Sequence, residues 1–77
     1  MVKVSVKLDT ITKVKDFVNL LVGVSYDVDL VTGRYVVDAK SIMGLFSLDL
    51  SKAIEMQIHA DEAECAELLE KVKPYMA

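Results

Sequence analysis

Val2, Val4, Val6 and Leu8 alternate with Lys3, Ser5 and Lys7. A period of two predicts a strand with one buried face. The period then changes. Asp9-Thr10 offers a helix cap, and Ile11, Val14, Phe17, Val18, Leu21 and Val22 follow at helical spacing until Gly23, a helix stop.

Tyr26, Val28 and Leu30 alternate with Asp27 and Asp29, and Tyr35, Val37 and Ala39 alternate with Arg34, Val36 and Asp38. Thr32-Gly33 between them reads as the two-residue turn of a hairpin. That turn pairs Val31 with Arg34, Leu30 with Tyr35 and Val28 with Val37, so that apolar meets apolar on one face. A slip of one residue would destroy the match. The same register sets Asp27 opposite Asp38, a small local cost.

Ser41 opens a short helix from Ile42 to about Leu48, its hydroxyl capping the free amides of the first turn. Ile54, Met56 and Ile58 alternate with Glu55, Gln57 and His59, giving a fourth strand. Asp61-Glu62-Ala63-Glu64 starts a last helix in the manner of a capping box. Leu68, Leu69 and Val72, with Cys65 or Met76, form its apolar stripe, and Pro74 ends it or frays its last turn. Acids come first in this helix and Lys71 and Lys73 come last, matching the dipole.

The order is β-α-β-β-α-β-α. Each strand has one apolar and one polar face. One sheet with helices on one side and water on the other satisfies all of them, an α+β fold. The wet face should carry Lys3, Lys7, Asp27, Asp29, Asp38, Glu55, Gln57 and His59. No linker, repeat or low-complexity stretch interrupts the 77 residues, so residues 1–77 are expected to form a single domain.

Composition narrows the function classes. Hydrophobic residues make up 53% and charged residues 27%, too apolar for disorder and too interrupted by charge for a membrane span. With no signal-peptide core at Met1–Ser5, a cytoplasmic location is expected. The net charge of −3 argues against nucleic acid and against an anionic membrane surface. One Cys and one His cannot assemble a structural zinc site. No glycine-rich phosphate loop or spaced catalytic pair is present, so neither an enzyme nor a cofactor is expected.

Lys40-Ser41-Ile42-Met43-Gly44-Leu45-Phe46-Ser47-Leu48 resembles the regulatory-serine segment of the histidine-containing phosphocarrier protein (HPr) family of the bacterial sugar phosphotransferase system. In Gram-positive members that segment reads Lys-Ser-Ile-Met-Gly-x-x-Ser-Leu. The order of elements and the acid-rich last helix are similar over the whole chain. The resemblance implies an open-faced β-sandwich, a four-stranded antiparallel sheet covered on one face by helices.

The resemblance fails where the family does its chemistry. Members carry Gly-Ile/Leu-His-Ala-Arg-Pro at the start of the first helix, and the histidine takes a phosphoryl group from enzyme I. Here the stretch is Thr10-Ile11-Thr12-Lys13-Val14-Lys15. Thr12 stands at the histidine position and Val14 at the arginine position. A threonine ester is too stable to pass the group on, so no carrier activity is expected. The hairpin is also shorter than is usual in the family. The catabolite-repression HPr paralogues share this pattern, lacking the histidine and keeping the serine. The resemblance then implies Ser41 as the site of an ATP-dependent HPr kinase. It implies Ile42, Met43 and Phe46 as an apolar docking patch, and a catabolite-control transcription repressor as partner.

Each of these residues has a plainer explanation. Ser41 is an ordinary helix cap, worth about 0.5–2 kcal/mol over Ala. A phosphate would be tolerated there, so the two roles are compatible. Ile42, Met43, Leu45, Phe46 and Leu48 cover most of one short helix, so packing one side leaves the other exposed unless loops cover it. His59 reads as an exposed surface side chain and Cys65 as a buried thiol. Thr10, Thr12, Lys13 and Lys15 could hold an anion, but a cap followed by a solvated lysine face explains them better.

The leading expectation is a regulatory, protein-docking member of the family that does not carry phosphohistidine. The alternative keeps only the fold. It is a structural or interaction module, or a homodimer through the Ile42–Phe46 patch or a sheet edge.

Overall fold

The computed structural model describes all residues 1–77. Its elements run β1 (Val2–Val6), α1 (Ile11–Leu20), β2 (Val28–Thr32), β3 (Tyr35–Asp38), α2 (Ile42–Phe46), β4 (Ile54–Ile58) and α3 (Ala66–Val72). One antiparallel sheet of order β1-β4-β2-β3 carries three helices on a single face. This is the expected α+β architecture.

The alternating apolar positions meet in register. Val4, Met56 and Leu30 line up across β1, β4 and β2, as do Val2, Ile58 and Val28. Met56, Ile58, Leu30 and Val28 are buried under Val14 and Phe17 of α1 and Leu21 just after it, Leu45 of α2, and Leu68 and Val72 of α3. Each such side chain contributes about 1.5–3 kcal/mol by leaving water. Cys65 lies wholly inside this core, as expected of a thiol on an apolar stripe.

The hairpin corrects the expected register. The loop is Gly33-Arg34 rather than Thr32-Gly33, and Thr32 pairs with Tyr35, Val31 with Val36, Leu30 with Val37 and Asp29 with Asp38. Gly33 holds a φ of +53 at the first central position, where a II′-type turn wants glycine. The expected loop would place β-branched Thr32 there, which is costly. Because the loop moves by one residue, every partner shifts by two, and each side chain keeps its face.

The ends of α1 also differ from expectation. Its helical residues stop at Leu20, Leu21 caps it, and Gly23 with φ +85 turns the chain away. Ile11 and Val22, counted in the apolar stripe, lie exposed at its two ends. At the start of α3, Asp61 Oδ1 accepts from Glu64 N at 2.8 Å, but residues 62–65 form turns and the α-helix begins at Ala66. Pro74 converts the far end into a 3-10 turn, Lys73–Tyr75.

The two outer strands are treated differently. β1 is partly covered by the end of that turn and the residues after it. Lys7 N donates to Tyr75 O at 2.7 Å, Ala77 N donates to Ser5 O at 2.9 Å, and Met76 bridges Val6. Tyr75 anchors the segment by meeting the Phe17 ring edge-on, with centroids 5.8 Å apart. β3 has no such cover.

On the helix-free face the sheet presents Lys3, Ser5, Asp29, Val31, Val36, Asp38, Glu55 and Gln57. His59 follows β4. Its backbone N–H donates to Asp27 O, and its Nε2 lies 2.8 Å from Asp29 Oδ2.

Candidate functional site

The segment that carries the family motif is held from three sides. Ser41 adopts extended backbone at the N-cap of α2, and its Oγ accepts from Gly44 N at 3.2 Å. At the other end Ser47 Oγ donates to Gly44 O at 2.6 Å. A five-residue helix cannot persist by propensity, so these caps and the buried Leu45 fix it.

Before Ser41, Asp38 Oδ1 accepts from Lys40 N at 2.9 Å, and Asp38 O accepts from Ser41 N. Lys40 Nζ then reaches the loop between α1 and β2. It donates to Val24 O at 2.8 Å and to Tyr26 O at 3.0 Å. Sequence reasoning missed this clamp, because a lysine before a helix cap reads as solvated. Gly44 completes the setting. A Cβ there would lie 3.4 Å from both Ser41 Oγ and Val37 Cβ, so glycine lets α2 settle against β3.

Ile42 is half-buried against the core, whereas Met43 is 77% exposed and Phe46 is 44% exposed. No loop covers them. α2 also packs on α1, whose start lies exposed. Thr10 caps α1, its Oγ1 accepting from Lys13 N at 3.1 Å. Thr12 sits exposed in the first turn. Lys13 Nζ bonds Asp9 Oδ1 at 3.0 Å, and that hydrogen bond, with the lysine charge, holds the Asp9 carboxyl below its ordinary value. A carboxylate therefore neutralises the cation nearest this helix start, which weakens its pull on anions.

Other candidates lie apart from these. His59 is tied to Asp29 on the sheet's open side. Burial pushes the Cys65 thiol up, which suits an inert core residue. No three His, Cys, Asp or Glu side chains converge to hold a metal ion. No helix is long and apolar enough to cross a membrane. A cleft of about 300 Å3 between the α1–β2 loop and α3 contains neither Thr12 nor Ser41. Its walls include Val24, Tyr26, Glu64, Glu67 and Lys71, and burial raises the Tyr26 hydroxyl. Ser41 and its neighbours Met43 and Phe46 thus form an exposed, partly apolar surface outside the cleft, suited to contact with another protein.

The family model described as "PTS HPr component phosphorylation site" matches residues 12–77. This chain belongs to the HPr family. Solved HPr structures share the fold. The phosphocarrier protein HPr from Bacillus anthracis str. Ames superposes with a TM-score of 0.71 at 25% identity, covering 99% of this chain and 96% of that one. HPr-C-His from Thermoanaerobacter tengcongensis gives a TM-score of 0.73 at 22% identity, covering 94% of this chain and 90% of that one. No curated protein sequence matches. HPr-family proteins are phosphocarriers that interact with other proteins of the phosphotransferase system. In this HPr-family chain the matched region opens on Thr12, not on a histidine.

Proposed function

We propose that this protein is a regulatory docking member of the HPr family, phosphorylated on Ser41 and inactive as a histidine phosphocarrier. The observation that carries the reading is the pairing of an exposed Ser41 hydroxyl with the exposed Met43 and Phe46 on one short helix, while α1 offers only Thr12. The partners are an ATP-dependent HPr kinase and a catabolite-control transcription repressor. Residues 1–77 act as one domain, in the cytoplasm, with no enzymatic activity of their own.

The modification is chemically simple. Ser41 Oγ attacks the γ-phosphorus of ATP, the new O–P bond forms, the bond to ADP breaks, and the hydroxyl proton leaves to the kinase's base. The product adds about −1.5 to −2 charge beside Met43 and Phe46. That placement gives a partner two tests at once, an anion for its Arg or Lys side chains and an apolar patch for its own hydrophobic surface.

Thr12 argues against carriage. Histidine forms a labile phosphoramidate, whereas a threonine ester holds its phosphate. The Asp9–Lys13 pair at the same helix end adds no free cation to help.

Intact mass after incubation with HPr kinase and ATP tests the first half, with Ser41→Ala alongside. One added phosphate on the parent and none on the variant is the expected result. No gain on the parent removes the phosphorylation role and leaves Ser41 as a cap. Phosphoryl transfer from phosphoenolpyruvate through enzyme I onto this chain would overturn the non-carrier half.

A further inference from the structure

We infer that two copies of this protein pair through β3, forming a continuous antiparallel sheet across a two-fold axis at Val36. The inference is independent of Ser41 phosphorylation.

The direction of the free backbone groups comes first. Ala39 N donates to Val28 O, so Ala39, Val37 and Tyr35 turn their main-chain groups toward β2. The groups of Val36 therefore point outward, along with the N–H of Asp38, whose carbonyl is already taken by Ser41 N. An open strand edge of this kind is a template for another strand. β3 carries neither Pro nor Lys and shows no bulge. Instead it exposes Tyr35 (70%) and Val36 (62%), a high exposure for large apolar groups on a strand.

Charge then selects both the occupant and the register. Arg34 makes no ion pair within the chain, and neither does Asp38. Asp38 instead faces the like-charged Asp29 across the β2–β3 ladder. A second copy laid antiparallel with Val36 on Val36 brings the turn residue Arg34 up to the partner's Asp38 at the strand end, and symmetry makes that pair twice. Tyr35 then lies beside the partner's Val37 on the helix side, and the two Val36 side chains meet on the open side. A shift of two residues either way keeps the hydrogen-bonding parity but sets a charged residue against Val36. Only the centred register matches charge with charge and apolar with apolar. Such self-complementarity of one surface patch is what a two-fold contact requires.

Sedimentation equilibrium of the whole chain from about 10 µM to about 1 mM tests this, since a ladder confined to Tyr35–Val37 buries little and should bind weakly. The parent should dimerise. Arg34→Asp, which replaces both cross-pairs by like charges, should weaken the dimer by about tenfold or more. Val36→Pro should do the same, because it removes an outward N–H that the fold does not use. Arg34→Asp mixed with Asp38→Arg should restore association, as a heterodimer in which both cross-pairs are opposite in sign. Asp38→Arg also loses the acceptor of Lys40 N. If circular dichroism finds that variant unfolded, Arg34→Asp and Val36→Pro decide alone. A parent that stays monomeric over the whole range, or a dimer that Arg34→Asp and Val36→Pro leave intact, overturns the inference.

Discussion

The ammonium of Lys40 donates to the carbonyl of Tyr26 at 3.0 Å, tying the residue before Ser41 to a loop 14 positions earlier in the chain. A second bond goes to Val24 O. The lysine that sits beside the candidate phosphorylation site is therefore part of the scaffold that presents it.

Lys40→Met keeps the aliphatic stem and removes both bonds. Hydrogen bonds to a charged group are worth about 1.5–3 kcal/mol when buried, and partial exposure brings the expected loss to about 1–2 kcal/mol. Urea unfolding should show a lower midpoint with an unchanged slope. An unchanged midpoint would mean that the clamp carries no stability.

Ser41 variants separate the cap from the modification. Ser41→Ala should destabilise by about 0.5–2 kcal/mol, because Gly44 N loses its acceptor. Ser41→Asn should retain most of that stability while offering no hydroxyl to a kinase. Equal stability of Ser41→Ala and the parent would show that α2 needs no cap.

The docking patch divides by exposure. Met43→Glu should leave thermal stability within about 0.5 kcal/mol, as for other exposed positions, yet abolish binding of a partner that uses the patch. Phe46→Glu should cost more, since over half of that side chain is covered. Calorimetry of the two variants orders them, and the reverse order would contradict the packing of α2.

Asp9 gives a pH signature with a definite sign. Its folded carboxyl titrates below the ordinary 3.8 because Lys13 favours the charged form. The stability from this pair is present in full above the unfolded value and lost as pH falls through the folded one. A carboxyl NMR titration should place the midpoint under 3.8, and Lys13→Met should return it upward. A midpoint unmoved by Lys13→Met would exclude the lysine as the cause.

Cys65 should resist thiol reagents at pH 8 until the chain opens, because the side chain is buried and its thiol is shifted upward. The sign is opposite to that of Asp9. The contribution is complete below the unfolded thiol value and fades as pH rises through the folded one. Labelling in urea should follow the unfolding curve. Rapid labelling of the native protein would place the thiol at the surface.

The period of two was legible in all four strands because each has one wet face, and it carried the fold and the core with it. The hairpin loop lies one residue further along than the Thr-Gly pattern predicts, because that pair fits the turn pattern while the backbone needs glycine at the first central position. Parity protected every face assignment from that error. Ile11 and Val22 show what periodicity misses. It marks a direction on the helix but not where the neighbouring elements end. Of the candidate site, Ser41 and its cap could be read locally. The Lys40 clamp and the His59–Asp29 contact could not, since both depend on strand order and loop paths that no local spacing encodes.

The residues after α3 settle how far association can proceed. They close the later half of β1, and Lys3 guards what remains of that rim with a charge. Each molecule thus has a single sticky side. Joining through β3 uses up that side on both molecules at once, so growth halts at the pair. An eight-stranded sheet with closed rims remains in solution where a chain with two open rims would lengthen into a fibre.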